Sequence, residues 1–467
     1  MSKVVTRFAP SPTGLMHLGN VRTAMLNWMF ARKMGGTFLL RFEDTDQSRS
    51  EQQYIDALKM DMLWLGLQWD GEPLFQSAHA EQHRTALENL AEANLAYPCF
   101  CTESQLNLDR KLATSRGLPP RYNGRCRALS AEERQAKLDA GETHTWRLAV
   151  HADSGEVVVP DLLRDNVVFL RKDLDDPVVV RSDGTFTFLL PNAIDDAMDG
   201  VTHVLRGDDH LTNSAYQVWM LESLGYTAPV CLHHGLLLGE DGAKLSKRTG
   251  SHSVADLRAA GLFPEALQQA MIRLGHPNIP DDALSLDALM QHTDVEHLST
   301  SSVRWSNDDM WRWHTKILHS KSASELAPLL RQALAKHHID MDEKQLLALA
   351  EMMRGNLNRV EDILDFQRLF DETSDISDEH VVVLQEAGSV FFNHALTTAK
   401  ATSGTDWKAW TTALKEASGV KGKALFMPLR IALTGQAHGP EMSKVVVFLG
   451  ADGIQIRLHQ VLELIGG

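Results

Sequence analysis

The sequence predicts an α/β chain: two strand–turn–helix halves of one parallel sheet, parted by an insertion and followed by an all-α tail. Three observations carry this reading. A short apolar run at 4–8 leads into a glycine-containing turn and then a segment of helical spacing. The same succession returns at 201–238. From about 320 onward, apolar residues recur with the helical period and no strand pattern interrupts them. With 467 residues the chain exceeds what one core organises, so several domains are expected.

Composition narrows the classes. A net charge of −15 argues against a general nucleic-acid coat, which would be basic, while leaving room for a local basic groove. No apolar signal region precedes the first strand, and no apolar run reads as long enough to span a bilayer. A cytoplasmic protein is expected. There are four cysteines, two of them spaced Cys-x-Cys, which suits a metal better than a disulfide framework.

The first half starts with Val4, Val5 and Phe8, then the stretch 10–20 with Gly14, His17, Gly19 and Asn20. Val21, Met25, Trp28 and Met29 share one helical face, and Gly35-Gly36 stops the helix. A helix N-terminus offers unpaired N–H groups and a positive dipole end, so this turn suits a phosphate. Taken alone, His17 reads more often as a plain surface or core histidine than as a ligand-binding one. Residues 37–46 read as the second strand, apolar on both faces, ending in Glu43, Asp44 and Asp46. Ligands of open α/β sheets bind at the carboxyl ends of strands, so Glu43 is placed to meet a cation; a solvated, helix-capping loop is the other reading. The next helix is expected to open on a capping box at 50–53 and to end at Gly66.

At about 98 the character changes. Cys99 and Cys101 precede a basic, Pro/Gly-containing stretch, then Tyr122 and Cys126. Two thiolates on one turn and a third about 25 residues on suggest a zinc knuckle; three reduced structural cysteines are the alternative. Short strands at 145–150, 157–159, 167–170 and 178–180 indicate an insertion with a sheet of its own, and Asp183-Gly184 a tight turn. The second half follows: a strand at 201–205, Arg206 and Asp209 at its end, a helix with Tyr216, Met220 and Leu221 on one face, and a strand at 230–233. Leu236 to Leu238 lead into a turn at 239–242, then the loop 244–248 with Lys244, Ser246 and Lys247. Two cations in a polar loop beside a phosphate site would neutralise charge developing in phosphoryl displacement. The tail shows a capping box at Ser322 and Glu325 and stripes at Leu326/Leu330/Leu334, Leu346/Leu349/Met353 and Val360/Ile363/Leu364.

The His-x-Gly turn at 17–19 and the distant Lys244-Leu-Ser-Lys-Arg248 together resemble the signature pair of class I aminoacyl-tRNA synthetases. The series 7–14, 41–46, Asp195-Asp196, 206–210 and 423–435 resembles bacterial glutamyl-tRNA synthetase from end to end. That resemblance implies a Rossmann-type catalytic core at 1–97 and 191–238, split by an acceptor-end-binding insertion at 98–190. It further implies a signature loop and stem-contact segment at 239–319 and an α-helical anticodon-binding domain at 320–467. The implied reaction joins glutamate to the α-phosphate of ATP with Mg²⁺, then passes the glutamyl group to the tRNA terminal ribose. Members usually need tRNA bound before they activate glutamate, and are usually monomers.

Carried over from the family, His17, Lys244, Ser246 and Lys247 would be catalytic. Gly14, Gly19, Asn20, Asp209 and Leu237 would complete the ATP site. Arg7, Ala9, Ser11, Glu43, Phe188, Asn192 and Arg206 would form the glutamate pocket, the arginines meeting carboxylates and Glu43 the α-ammonium. Zinc would take Cys99, Cys101 and Cys126 with Tyr122, because Ala128 stands where the family often has histidine. Phe188 replaces a usual tyrosine, and a phenyl ring makes no hydrogen bond. The implied partners are tRNA-Glu and, for a paralogue that supplies amidation, tRNA-Gln. A degenerate tRNA-binding regulator is the non-enzymatic reading.

Overall fold

The computed structural model describes residues 3–45, 50–243, 245, 253–276, 278–371 and 374–466. The chain divides into two compact units, Met1–Met310 and Trp311–Gly467. In the first, β1 (Val5–Phe8) leads through the 10–17 turn into α1 (Leu18–Lys33) and back to β2 (Thr37–Phe42). The strands pair in parallel, with Val5 opposite Thr37 and Phe8 opposite Leu40. Gly36 permits the return: a Cβ there would lie 2.4 Å from the Val4 carbonyl oxygen. Next come α2 (Gln52–Trp64), β3 (Leu74–Phe75), parallel to β2, and α3 (Ala80–Glu92).

Two expectations change here. No capping box opens α2: Glu51 is the N-cap without a side-chain bond, and its N–H is drawn to the Pro12 carbonyl at 3.3 Å. Nor is β2 apolar throughout, because Arg41 is fully buried on it. Its guanidinium meets Asp196 at 2.7 Å, Asp199 at 2.8 Å and Asp195 at 3.9 Å. Asp195 also takes His83 at 2.7 Å, His79 at 3.1 Å and Gln76 at 2.7 Å. Burial works against the charge on Arg41, yet the carboxylates around it outweigh that and hold it firmly protonated.

The insertion contributes β4 (Ala96–Cys99), α4 (Glu103–Ser115), α5 (Ala131–Asp139), β5 (Thr145–Leu148), β6 (Glu156–Asp161), β7 (Asp165–Leu170) and β8 (Val178–Val180). Strands β4, β5 and β8 form an antiparallel sheet, as expected of a separate unit. The β6–β7 hairpin does not belong to it. It joins the sheet of the second half, in the order β7-β6-β10-β9.

That half consists of α6 (Leu189–Met198), β9 (His203–Gly207), α7 (Leu211–Ser223) and β10 (Val230–His234), with β9 and β10 parallel. Thr202 ties it to the first half, its N–H donating to the Val5 carbonyl and its hydroxyl accepting from the Val5 N–H at 2.8 Å. Then follow β11 (Leu237–Leu238), α8 (Val254–Ala259), α9 (Pro264–Arg273), α10 (Leu286–His292) and β12 (Val303–Arg304), which pairs with β11. The 239–242 turn forms, with the Gly242 N–H on the Gly239 carbonyl. Arg22 of α1 is buried and donates to the carbonyls of Met271 and Leu274, so it caps the C-terminal end of α9.

The remaining helices are α11 (Asn307–Ser320), which contains the division point, α12 (Ala323–Ala335), α13 (Glu343–Met353), α14 (Asp378–Ala401), α15 (Trp407–Ser418), α16 (Lys423–Thr434) and α17 (Met442–Gly466). The Ser322/Glu325 capping box is formed. The third stripe lies on a 3₁₀ stretch, Val360–Leu369. One expectation is corrected: by length and composition, α17 passes as a membrane-crossing helix. Gly450 breaks it at φ 67°, ψ 174°, and the pieces 442–449 and 451–466 are each shorter than the ~20 residues a span needs. Its buried residues Val445, Val446, Ile454 and Leu458 belong to the core, where α17 packs on α14 and α16.

Arg41→Leu should destabilise the chain by about 3–5 kcal/mol, because it strands carboxylates that have no access to water. Urea denaturation checks this; a loss below about 1 kcal/mol would mean the carboxylates are compensated without Arg41.

Candidate active site

The carboxyl ends of β1, β2, β9 and β10 converge on one cavity of about 470 Å³. Its lining includes Arg7, Ala9, Ser11, His17, Gly19, Asn20, Glu43, Phe188, Asn192, Arg206, Asp209 and Leu237, so residues that the sequence placed far apart are brought together. Gly14 lies in the turn before α1 and does not line it. Lys244, Ser246, Lys247 and Asp46 fall outside the described residues. Leu245, between the signature lysines, does line the cavity and donates its N–H to the Leu237 carbonyl at 3.3 Å.

At the phosphate-type end, His17 is the N-cap of α1, its Nδ1 accepting from the Asn20 N–H at 3.4 Å. Gly19 makes room for that ring: a Cβ there would stand 3.2 Å from both Cε1 and Nδ1 of His17. The Asn20 Oδ1 is buried with no partner among the described residues. At the other end, Arg206 is buried. Its Nη2 donates to Ser214 Oγ at 2.6 Å and to Gln217 Oε1 at 2.5 Å. Its Nε and Nη1 have no partner among the described residues. Orphaned buried donors of a guanidinium are costly unless an acceptor meets them.

From Arg206 the donors run in one direction. Gln217 Nε2 donates to Asn192 Oδ1 at 2.7 Å, and Asn192 Nδ2 to Glu43 Oε1 at 2.5 Å. Burial pushes the Glu43 carboxyl up to about 7, against the pull of Arg41 and Asn192. Arg7 is held by Asp196, its Nε at 2.9 Å. Burial opposes the charge on Asp196, but Arg7 and Arg41 keep it below the usual carboxylate range. The carboxylates expected as one cluster divide. Glu43 faces the cavity, while Asp44 accepts from the N–H and hydroxyl of Ser77 at 2.8 and 2.6 Å and caps a turn. The Phe188 ring lies 5.5 Å from that of His210.

Sequence reading missed Arg22, Thr23 and His234 in the lining. His234 is buried at the end of β10, and burial with the nearby Arg22 brings its pKa down to about 3. Its position at a strand's carboxyl end was the available signal.

Away from the cavity, the sulfurs of Cys99, Cys101 and Cys126 lie within 4.8 Å of one another. Cys101 and Cys126 are 3.6 Å apart, and the Tyr122 hydroxyl is 3.5 Å from Cys99 Sγ and 3.6 Å from Cys101 Sγ. Tetrahedral zinc with sulfurs at about 2.3 Å and oxygen at about 2.0 Å requires edges of about 3.5–3.8 Å. The three sulfurs could hold one ion. With Tyr122 as the fourth donor, three of the edges fall in that range, although the Tyr122 oxygen also accepts the Cys126 N–H at 2.9 Å.

Comparison with known proteins agrees with this architecture. Residues 3–312 match the model of the class I tRNA synthetase (E and Q) catalytic domain. Residues 325–462 match an anticodon binding domain. Glutamate–tRNA ligase 2 of Alkalilimnicola ehrlichii is 40% identical, covering 99% of this chain and 98% of its own. That of Nitrosococcus oceani is also 40% identical, over 98% of each. The chain belongs to the glutamate–tRNA ligase family of class I synthetases. A crystal structure of a glutamate tRNA ligase from Elizabethkingia meningosepticum, in complex with its amino acid, superposes with a TM-score of 0.87 at 26% identity, covering 99% of both chains. A glutamate–tRNA synthetase from Elizabethkingia anophelis gives 0.85, also at 26% identity, over 99% of this chain and 100% of that one.

The Asn192 bond favours ionised Glu43, so Asn192→Ala should raise the Glu43 pKa above about 7. Carboxyl ¹³C NMR titration checks it; an unchanged or lower value would mean that bond does not set the ionisation.

Proposed function

We propose that this chain joins glutamate to tRNA-Glu in two steps. The glutamate α-carboxylate oxygen attacks the α-phosphorus of ATP and pyrophosphate leaves. A terminal ribose hydroxyl then attacks the carbonyl carbon and AMP leaves. The observation that carries the reading is the cavity's charge layout: orphaned Arg206 donors and Arg7 for two carboxylates, Glu43 for one ammonium. Glutamate has that inventory of charges. ATP with Mg²⁺ is the co-substrate of this synthetase class.

In this reading the turn at 14–20 and His17 hold the ATP phosphates against the N-terminus of α1. Gly19, Asn20, Asp209 and Leu237 serve the nucleotide. Lys247, with Lys244 and Ser246, stabilises the departing pyrophosphate. Ala9, Ser11 and Asn192 shape the glutamate pocket. Phe188 closes that pocket by contact and not by a hydrogen bond. The insertion meets the acceptor end and the helical unit the anticodon, in a cytoplasmic setting. Zinc at Cys99, Cys101, Cys126 and Tyr122 would cross-link the base of the insertion. That tRNA-Gln is an alternative acceptor is not favoured by the relatives, which are named for glutamate.

Labelled-glutamate charging, with tRNA-Glu and tRNA-Gln assayed separately, tests the reading. Charging of tRNA-Glu alone is expected, and charging of neither would overturn it. Arg206→Ala should raise the glutamate KM by roughly 30-fold or more, the ~2–5 kcal/mol of an unpaired buried carboxylate. A near-wild-type value would remove Arg206 from the pocket. Because the ammonium selects ionised Glu43, whose free carboxyl titrates near 7, the glutamate KM should also rise as pH falls below about 7. Metal analysis should find about one zinc per chain, with Tyr122→Phe retaining less after dialysis against a chelator. No zinc in the wild type would leave three reduced cysteines.

A further inference from the structure

Behind Arg206, on the side away from the cavity, runs a second line of hydrogen bonds. Ser214 Oγ, which accepts from Arg206 Nη2, lies 2.6 Å from His233 Nε2. His233 Nδ1 lies 2.5 Å from Asp161 Oδ2. All three residues are almost fully buried. The donors can be ordered. Asp161 also accepts from the N–H groups of Leu163 at 2.9 Å, Arg164 at 3.1 Å and His233 at 3.1 Å. Those bonds, with that from the His233 ring, outweigh burial and hold the carboxylate ionised. It therefore fixes the proton of His233 on Nδ1, and burial keeps the ring neutral. Nε2 then accepts, and the Ser214 hydroxyl donates to it at 2.6 Å over the His210 carbonyl at 3.4 Å, leaving its lone pairs for Arg206.

The arrangement has the residue types of a nucleophilic triad, but it is not one. Ser214 and His233 do not line the cavity, and the Ser214 oxygen is occupied by the guanidinium. The relay instead anchors one terminal nitrogen of Arg206. With both Nη2 hydrogens committed, to Ser214 and Gln217, the guanidinium is held in one orientation at the wall of the cavity that it lines.

Asp161 ends β6, in the hairpin at 156–170 that the sequence reading assigned to the insertion. It is registered opposite Cys231 of β10, and Arg164 of the same hairpin donates to the His233 carbonyl and lies 3.8 Å from Asp208. The inserted hairpin therefore supplies the far end of the line that sets Arg206.

We propose that Asp161, His233 and Ser214 are positioning residues for amino-acid recognition. They hold the Arg206 donors in register with the glutamate carboxylate and make the 156–170 hairpin part of the glutamate pocket. This rests on the assignment of Arg206 to glutamate. The test is tRNA-dependent ATP–pyrophosphate exchange by the full chain, with glutamate KM and ATP KM measured separately. Ser214→Ala should raise the glutamate KM roughly tenfold or more, with the ATP KM within about twofold and the thermal midpoint nearly unchanged. Ser214→Thr, which keeps the hydroxyl, should restore it to within about threefold. His233→Asn, which keeps a donor for Asp161 but falls short of Ser214, should behave like Ser214→Ala. The double variant should be little worse than either single one, because the groups act in series. A glutamate KM unchanged in Ser214→Ala, or rising in step with the ATP KM, overturns the relay and leaves the function intact. A wild-type chain without glutamate-dependent exchange overturns both.

Discussion

A buried guanidinium with two of its five N–H donors engaged among the described residues is the constraint on which the site depends. Arg206 lies buried at the end of β9, and desolvation works against its charge. Asp196 and Glu43 favour its charge, and the hydrogen bonds to Ser214 and Gln217 at one nitrogen aim it, the other two nitrogens having no partner among the described residues. Through Gln217 and Asn192 the same line reaches Glu43. The positive and negative ends of the pocket are thus joined by hydrogen bonds of a single sense. Their spacing is set by the protein before any ligand arrives, which is the preorganisation that differential binding requires.

A second ionic hub supports the first. Arg41, Asp195, Asp196 and Asp199 are shared between β2 and α6, which come from different halves of the core. Asp196 serves both Arg41 and Arg7, so the arginine in the cavity is placed by a carboxylate that also locks the halves together. Buried ion pairs of this kind add little net stability over apolar packing, but they tolerate only one geometry. Here that geometry sets where Arg7 and Glu43 stand.

Local sequence patterns determined much of this protein. The strand–turn–helix at 4–33, the stop at Gly35-Gly36, the second half from 203 to 234 and the Ser322 cap were legible because each depends on neighbours within a turn or a strand. Of the site residues carried over from the family resemblance, twelve line one cavity. The cysteines stood out by their spacing, and the structure brings three of them together with the Tyr122 hydroxyl within 3.6 Å of two.

Tertiary structure alone decided the rest, and in each case the reason is long-range pairing. Nothing local in 156–170 tells which sheet a hairpin will join; one bridge, Asp161 to Cys231, places it beside β10. An arginine inside an apolar strand gives no hint of the three carboxylates that meet Arg41, since they arrive from about 155 residues away. That 442–466 forms one long apolar helix was not read from the sequence, and the break at Gly450 with the packing on α14 makes it part of the core. The orientation of Arg206 is the clearest case. Its identity was readable as a charge for a carboxylate, but its aim depends on Ser214, His233 and Asp161, and folding alone brings these together.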